Sequence, residues 1–397
     1  MKNSNWKKGV KIMILGLAGI FLAAVIIVFM ASGVFSKPQY LEPWQKSYSD
    51  KFDDPRIKLA AHGLLAANGH NMQPWKIKLD ADKNVFYLFA DSERLTKEVD
   101  PYARQTMVTQ GTFLEYVRVA GEKLGYKTDI TLFPDGEYDE QNLEESMKNK
   151  SAAKITIAKT ETKGSALYDY MFLPDTNRGA YNKQELTQGE IKQLLAINTD
   201  SDMTLKIFQD EANKKNLGNY ALEGAKIESG IHRINQESAN VLRTNEYQKN
   251  KYRYGFSVEG QGTTGIMKHV MQGLITLFPS INNEKNSADL YVKSTLTAVD
   301  NTPAYAMIIT NDNSRTEQVK SGMLYSRLIL TAHSLGLVMQ PPSQVLEEYL
   351  EMREQYAKIH KDYAAKGAAI QMFFRIGKPT QEFPQSMRRD VMDIVMK

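Results

Sequence analysis

The sequence predicts an α+β fold, in which helices flank a mixed β-sheet, preceded by one membrane-spanning helix. Three observations predict it. A 25-residue run without a charged side chain, residues 12–36, lies near the start of the chain. Beyond it, stretches with helical spacing of apolar residues alternate with short runs rich in β-branched and aromatic residues. Some of these short runs are separated only by turns and form hairpins, which favours a mixed sheet layered with helices.

The N-terminal apolar run is long enough to cross a bilayer. At about 1.5 Å of rise per residue, a helix of this length spans a hydrocarbon core of roughly 30 Å with some tilt. Four lysines precede the run, whereas only Lys37 follows it closely. This bias predicts residues 1–11 in the cytoplasm, residues 12–36 across the membrane as a signal anchor, and the C-terminal domain outside the cytoplasm.

A cleaved signal peptide is the alternative for this run. Ala31-Ser32-Gly33 supplies small residues suited to a peptidase site. However, the apolar core of a signal peptide is usually about 7 to 15 residues long. We therefore expect a single-pass anchor in the cell membrane.

Composition excludes several classes of function. The chain has 397 residues, no cysteine, six histidines and a net charge of +4. Without cysteine there are no disulfides and no thiolate chemistry, and the histidines lack metal-ligand spacing, so we expect no metal site. Basic and acidic residues are interspersed, which makes nucleic acid a poor partner. The glycine-rich nucleotide motifs and the Gly-x-Ser-x-Gly motif are absent.

The first half, residues 54–165, shows clear turn and helix-stop signals. Gly69 and Gly125 each end a stretch with helical spacing. The turn-rich residues 80–84 separate two apolar runs and predict a hairpin. The predicted elements, in order, are a linker over 37–53, a helix over 57–67, strands over 75–79 and 85–89, a helix over 102–124, and strands over 128–133 and 153–158.

The second half, residues 166–397, opens on a polar turn. Gly336 stops a long helical pattern, and the glycine-rich residues 254–265 predict a loop. The predicted elements, in order, are a helix over 187–197, a strand over 204–208, a long polar helix over 209–243, a strand over 305–310, helices over 316–335 and 345–359, a strand over 369–376, and an amphipathic turn within 384–396.

Asn71 and Gln73 lie in a corner suited to a flat group with a polar edge. Pro74 fixes its own φ and holds Gln73 extended, so a preceding helix cannot continue. The Asn71 amide carries donors and an acceptor, which suits the alternating rim of a flavin ring. Arg178, Arg388 and Arg389 offer planar guanidinium groups suited to a phosphate. Each residue taken alone is more often a turn residue or a solvated charge.

Together these segments resemble a known family. The stretch Leu65-Ala-Ala-Asn-Gly-His-Asn-Met-Gln-Pro-Trp75 is similar to the His-Asn-x-Gln-Pro-Trp box of nitroreductase-like flavoproteins. Asp100-Pro-Tyr-Ala-Arg104 resembles a segment of the Acg-type branch, in which two nitroreductase-like halves are fused in one chain. Residues 176–181, 330–342 and 374–379 with Arg388-Arg389 resemble further segments of that branch. The resemblance covers nearly everything after the linker.

The resemblance implies a nitroreductase-like fold with FMN as cofactor. It implies electron transfer from NAD(P)H through the flavin to a nitro, quinone or other acceptor, with no catalytic side chain, because the flavin carries the chemistry. NAD(P)H is a doubtful reductant for a domain outside the cytoplasm. The implied cofactor contacts are Asn71 and Gln73 at the ring, Arg178, Arg388 and Arg389 at the phosphate, and Asn177, His70 and Arg104 as further candidates.

The chain departs from the family pattern in two places. The arginine-rich opening is missing before the first half, and no second Asn-x-Gln-Pro-Trp box follows Tyr181. We therefore predict one FMN per chain, between two unequal halves, in a monomer that acts as a pseudo-dimer.

Three functions from different classes follow. The first is a membrane-tethered FMN oxidoreductase supplied by a membrane quinol or a surface electron chain. The second is an FMN storage or sequestration protein with little turnover, in which the insert 214–265 closes over the ring. The third is a structural envelope module without flavin.

Overall fold

The chain begins with a long apolar helix, α1, from Lys2 to Ser32. The structure is a computed structural model of the protein, and it describes residues 2–162 and 164–397. Within this described part, Trp6–Ser32 is the one stretch of helix long and apolar enough to cross a membrane, judged by length and composition. The predicted membrane segment, residues 12–36, thus lies mostly in α1, which extends further toward the N-terminus than predicted.

The first sheet has four strands in the order β1-β2-β4-β3, and every neighbouring pair is antiparallel. Trp75, at the start of β1, is fully buried, and its indole N–H donates to the Thr109 carbonyl at 3.0 Å, which ties β1 to α3. The elements in this part are α2 (Pro55–Gly63), β1 (Trp75–Leu79), β2 (Val85–Ala90), α3 (Arg104–Leu124), β3 (Tyr126–Leu132), α4 (Leu143–Asn149) and β4 (Ala153–Lys159).

The second sheet also has four antiparallel strands, in the order β5-β8-β10-β9. A long insertion separates its first two strands. The elements are α5 (Gln188–Leu195), β5 (Met203–Phe208), α6 (Glu211–Ser229), α7 (His232–Asn240), β6 (Leu242–Arg243), α8 (Glu246–Tyr252), β7 (Phe256–Ser257), α9 (Gly265–Leu277), α10 (Glu284–Asp300), β8 (Ala304–Thr310), α11 (Arg315–Ser334), β9 (Val338–Gln340), α12 (Arg353–Tyr363) and β10 (Ala369–Gly377).

The predicted α+β class with a long apolar N-terminal helix is confirmed. The two sheets have the same topology. When the strands of each sheet are numbered in chain order, their spatial order is 1-2-4-3, and a long helix joins the second strand to the third. These two helices, α3 and α11, cross at Gly111 and Gly322. A Cβ on Gly111 would lie 1.8 Å from the Val319 carbonyl oxygen, and one on Gly322 would lie 1.9 Å from that of Val108. The crossing requires glycine on both helices.

The C-terminal tail returns from the second sheet to the first. Ile77 in β1 forms a parallel bridge with Val395. The Ile77 N–H donates to the Ile394 carbonyl at 2.7 Å, and the Met396 N–H donates to the Ile77 carbonyl at 2.8 Å. Parallel pairing here gives the otherwise antiparallel first sheet its mixed character. The end of the second half is therefore part of the packing of the first.

Three predicted segments differ from the structure. Residues 37–53 are not a free linker, because Tyr40, Trp44 and Tyr48 are buried in short 3₁₀ helices. The long helix over 209–243 is two helices, α6 and α7, broken at Gly230. The helix predicted over 345–359 begins only at Arg353, because the backbone after Leu346 is extended.

Candidate functional site

The corner between α2 and β1 holds three non-glycine residues in the left-handed region. His70, Asn71 and Gln73 have φ values of 52°, 52° and 51°, so the prediction that Pro74 holds Gln73 extended is wrong. Asn68 supports the turn, since its side-chain oxygen accepts from the Gln73 N–H at 2.8 Å. Left-handed backbone at non-glycine residues costs energy and is concentrated at functional sites. We call residues 68–74 the amide corner.

The C-terminal tail fixes Gln73. Its side chain is completely buried. The Gln73 Oε1 accepts from the Arg389 N–H at 2.8 Å, and Nε2 donates to the Met387 carbonyl at 3.2 Å. Arg389 also donates to the Gln73 carbonyl at 3.2 Å and to the Asp393 carbonyl at 2.7 Å. Burial, then Arg94, lowers the pKa of Arg389 to about 10, so it stays charged near neutral pH.

Arg388 is fully buried and ties the tail to the amide corner. Its guanidinium lies 4.6 Å from the centre of the Trp44 ring. One nitrogen donates to Asn71 Oδ1 at 3.0 Å, to the Met387 carbonyl at 3.0 Å and to the Ser386 hydroxyl. The other donates to the carbonyls of Leu65 and Ala66 at 3.0 and 3.2 Å and to the Asp175 carboxylate at 3.1 Å. Both terminal nitrogens are therefore occupied within the protein.

The segment Arg253–Gly260, which we call the covering segment, lies against the amide corner. Gly255 donates its N–H to the Asn71 carbonyl at 2.9 Å, and Asn71 Nδ2 donates back to the Gly255 carbonyl at 3.1 Å. Gln73 Nε2 donates to the Arg253 carbonyl at 2.9 Å. The Phe256 ring lies 5.3 Å from the His70 ring. Backbone groups of the covering segment thus bind the polar groups predicted to hold a flavin.

Arg178 faces the same region from the second half. It is half-buried, and its one hydrogen bond, 3.4 Å long, goes to the Gly260 carbonyl of the covering segment. Burial and then the charge of Arg178 lower the pKa of His70 to about 4. The buried His70 Nδ1 has no hydrogen-bond partner among the described residues. Arg178 and His70 therefore have donor or acceptor capacity to spare beside the covering segment.

Two predicted contacts have other roles. Asn177 holds its own loop, because its side chain donates to the Gln381 carbonyl at 3.0 Å and accepts from the Gly179 N–H at 2.9 Å. Arg104 points away from the amide corner and donates to the carbonyls of Gln371 and Leu346 at 2.7 and 2.9 Å. Both side chains are buried and stabilise local structure.

In the described conformation the site does not accommodate a flavin. The cavity beside the amide corner has a volume of about 10 Å³ and is lined by residues that include Gly69, Met72 and Asp100. Sites for small molecules and cofactors measure roughly 300 to 1,000 Å³. The amide and guanidinium groups suit a flavin chemically, but the covering segment occupies most of them. Binding would require this segment to withdraw.

A buried acidic cluster lies behind the amide corner and was not predicted. Gln105 Nε2 donates to Glu347 Oε1 at 3.3 Å, and the Tyr291 hydroxyl donates to Glu228 Oε2 at 3.0 Å. Burial raises the pKa of Glu228 to about 7, and burial followed by the charge of Glu228 raises the pKa of Glu347 well above its ordinary value. The four residues are far apart in the chain, so local spacing could not reveal the cluster.

Glu228 should make stability depend on pH. The unfolded chain loses this proton near pH 4.5, whereas the folded protein retains it up to about pH 7. The folded state therefore loses stability as the pH rises through this window, by up to about 1.4 kcal/mol per pH unit. Glu228→Gln should flatten the dependence in denaturant unfolding of the full chain at pH 5, 6 and 7. Glu354→Gln, at an exposed carboxylate, is the control. An unchanged slope in Glu228→Gln would contradict this assignment.

Comparison with known proteins shows distant similarity in sequence and structure. No family model matches the chain. A curated relative, the probable NAD(P)H nitroreductase PigM of Serratia sp. (strain ATCC 39006), is 23% identical over 206 residues, which are 50% of this chain and 55% of the relative. The chain therefore spans about half the length of the curated relative it matches.

The similar solved structures include nitroreductase-like proteins and a BluB-like flavoprotein. A nitroreductase-like family protein from Bacillus cereus has a TM-score of 0.33 at 12% identity, covering 60% of this chain and 98% of that one. A BluB-like flavoprotein from Clostridium difficile 630 has a TM-score of 0.34 at 12% identity, covering 59% and 99%. TM-scores of this size do not define the fold, which the chain's own strands and helices establish. The chain is thus an α+β protein with distant sequence similarity to a nitroreductase.

Proposed function

We propose that this chain is a membrane-tethered FMN oxidoreductase of nitroreductase type, with FMN bound between the amide corner and Arg178. The observation that carries the proposal is the meeting of the amide corner, Arg178 and the C-terminal arginine pair at one place. These segments are separated by more than 100 residues from one another. Their convergence supports a single site built from both halves.

The residues divide into two roles in this proposal. Asn71, His70 and Arg178 face the covering segment. When it withdraws, His70, Arg178 and one N–H of the Asn71 amide become available, while Asn71 stays bonded to Arg388 and to the Met387 carbonyl. Arg388 and Arg389 keep their bonds inside the protein and hold the amide corner in position. FMN, when bound, supplies the electron-transfer chemistry. The protein residues supply hydrogen bonds, positive charge and exclusion of water.

We also propose that the chain consists of two fused, unequal halves with one FMN. The shared strand order of the two sheets and the glycine crossing of α3 and α11 support the two halves. In the second half, the loop between α5 and β5 corresponds to the amide corner. Its Asn198 donates to the Met203 carbonyl at 2.8 Å and accepts from the Asp200 N–H at 3.2 Å, so it holds its own turn. One functional amide corner favours one flavin.

Arg178→Gln tests the proposed site. We expect FMN affinity to fall about 10- to 100-fold, because a hydrogen bond to a charged group contributes roughly 1.5 to 3 kcal/mol. Titration of the full chain in detergent, followed by quenching of flavin fluorescence, measures it. Arg233→Gln is the matched control, since Arg233 is an exposed arginine paired with Glu98 and Glu351. Equal affinities of Arg178→Gln and the wild type would contradict the proposal.

Storage of FMN is the second candidate, and the covering segment favours it. A segment that lies over the cofactor would shield the ring from donors and acceptors. Anaerobic mixing of the FMN-loaded protein with NADPH, and separately with a quinol, distinguishes the two functions. Bleaching by either donor supports an oxidoreductase, whereas a flavin that neither donor reduces supports storage.

A further inference from the structure

Helix α9 packs against the apolar helix α1 in a defined antiparallel register. A Cβ on Gly273 would lie 2.1 Å from the Val28 carbonyl oxygen, so the two backbones touch there. One turn away, the hydroxyl of Ser32 lies 3.5 Å from His269 Nδ1. From the first contact to the second, the residue number rises by four on α1 and falls by four on α9, so the two helices run antiparallel. The C-terminal end of α9 therefore points back along α1, toward its N-terminal part.

The charged groups of α9 lie at the end that meets the last turn of α1. Lys268 pairs with the buried Glu246 at 3.1 Å, and Gln272 donates to the same carboxylate at 3.0 Å. Burial raises the pKa of Glu246, but Lys249 and its hydrogen bonds outweigh this and lower it to about 2. This ionic cluster stays charged and fixes the start of α9 where α1 meets the folded domain.

Beyond this cluster α9 and the following turn carry no charge and are mostly apolar. No Asp, Glu, Lys or Arg occurs in residues 269–283. Leu277, Phe278 and Ile281 are 39%, 56% and 42% exposed. Leu277 is eight residues past His269, or roughly 12 Å farther along the helix axis. These side chains thus lie beside the part of α1 that precedes Val28.

We propose that residues 273–282, the tip of α9 and the turn after it, insert into the outer leaflet of the membrane beside α1. The proposal rests on the membrane tether of the proposed function. Lipid is the partner that the geometry favours, because the exposed apolar surface of the tip is continuous with that of α1. Leu22, Ile26 and Ile27, which precede Val28 on α1, are themselves exposed. An uncharged tip with charge at its base suits a segment that enters the acyl region beside a membrane helix.

Such insertion would orient the folded domain on the bilayer. α9 starts at Gly265, five residues after the covering segment ends at Gly260. Glu259 of the covering segment also pairs with Lys249 in the ionic cluster. The covering segment would therefore lie next to the membrane surface, on the side from which a lipid-soluble electron donor arrives.

The absence of cysteine makes a direct test possible, because each introduced cysteine is the sole thiol. Phe278→Cys and, independently, Ile281→Cys are labelled with an environment-sensitive fluorophore in the full chain and reconstituted in vesicles that contain nitroxide-labelled lipid. Ile20→Cys, at a 70% exposed position of α1, reports the tether. Leu350→Cys, at a 68% exposed apolar position packed near α6 and α12, reports exposure to water.

We expect blue-shifted emission and strong nitroxide quenching at residues 278, 281 and 20, and neither effect at residue 350. Quenching at Ile20→Cys without quenching at residue 278 or residue 281 would overturn the proposed insertion of residues 273–282 and leave the tether intact. Absence of quenching at Ile20→Cys would overturn the tether itself. The two failures are therefore distinguishable.

Discussion

Replacing Arg388 with methionine is expected to destabilise the protein by about 3 to 5 kcal/mol, because it removes one partner of a buried ion pair. Arg388 is fully buried, and the substitution leaves the Asp175 carboxylate, Asn71 Oδ1 and the Leu65 carbonyl without their side-chain donor. The methionine side chain fills part of the space beside Trp44, so the loss of stability comes mainly from the missing polar contacts. Denaturant unfolding of the full chain in detergent measures the change.

The control for this prediction is Arg233→Met. Arg233 makes bonds of 2.7 Å with both carboxylate oxygens of Glu351 and pairs with Glu98 at 2.8 Å. Its ion pairs are as short as those of Arg388, but its side chain is 41% exposed. Exposed ion pairs contribute less than about 1 kcal/mol, so this variant should remain close to the wild type. Equal losses in the two variants would contradict the role of Arg388 as the buried lock between tail and amide corner.

Gly111→Ala should cost about 3 kcal/mol or more, although alanine favours a helix by about 1 kcal/mol over glycine. The new Cβ would lie 1.8 Å from the carbonyl oxygen of Val319, a main-chain atom that cannot move alone. The helices α3 and α11 must therefore separate, which opens the contact between the two halves. The same result is expected for Gly322→Ala, whose Cβ would meet the carbonyl of Val108.

Two comparisons test the explanation for this crossing. Gly189→Ala lies in α5, where the new Cβ would lie 3.9 Å from the Thr187 hydroxyl, an ordinary contact, so it should be neutral or slightly stabilising. The double variant Gly111→Ala, Gly322→Ala should cost less than the sum of the two single losses, because both residues separate the same pair of helices. Additive losses would indicate two independent defects instead.

Local signals in the sequence predicted much of the fold. The turn-rich residues 80–84 identified the hairpin that β1 and β2 form, and Gly125, in the left-handed conformation, ends α3 as expected. The buried strands β8 and β10 also lie close to their predicted ranges. Each of these elements is encoded by a short stretch whose periodicity or stop residue acts locally.

Long-range pairing could not be predicted in this way. The tail reaches β1 through a contact between Ile77 and Val395, and nothing in either segment specifies the other. Sequence patterns also did not reveal α9 and α10. In α9 the apolar residues face α1 and the surroundings rather than a core, so the usual link between apolar spacing and burial is lost.

The candidate site shows the same limit. The motif around Asn71 marked the amide corner, but the covering segment binds it through main-chain groups of Arg253 and Gly255, and a main-chain contact leaves no side-chain signal in the sequence. The sequence also showed guanidinium groups at residues 388 and 389 without showing that internal acceptors occupy them. Whether a donor is free depends on the tertiary structure and not on the residue type.

We propose that one FMN binds per chain at the amide corner. The most direct measurement is a titration of FMN into the purified full-length protein in detergent, with bound flavin counted by absorbance after removal of free flavin. We predict saturation at one equivalent per chain, reduced in Arg178→Gln. No flavin bands after reconstitution, or saturation at two equivalents, would contradict it.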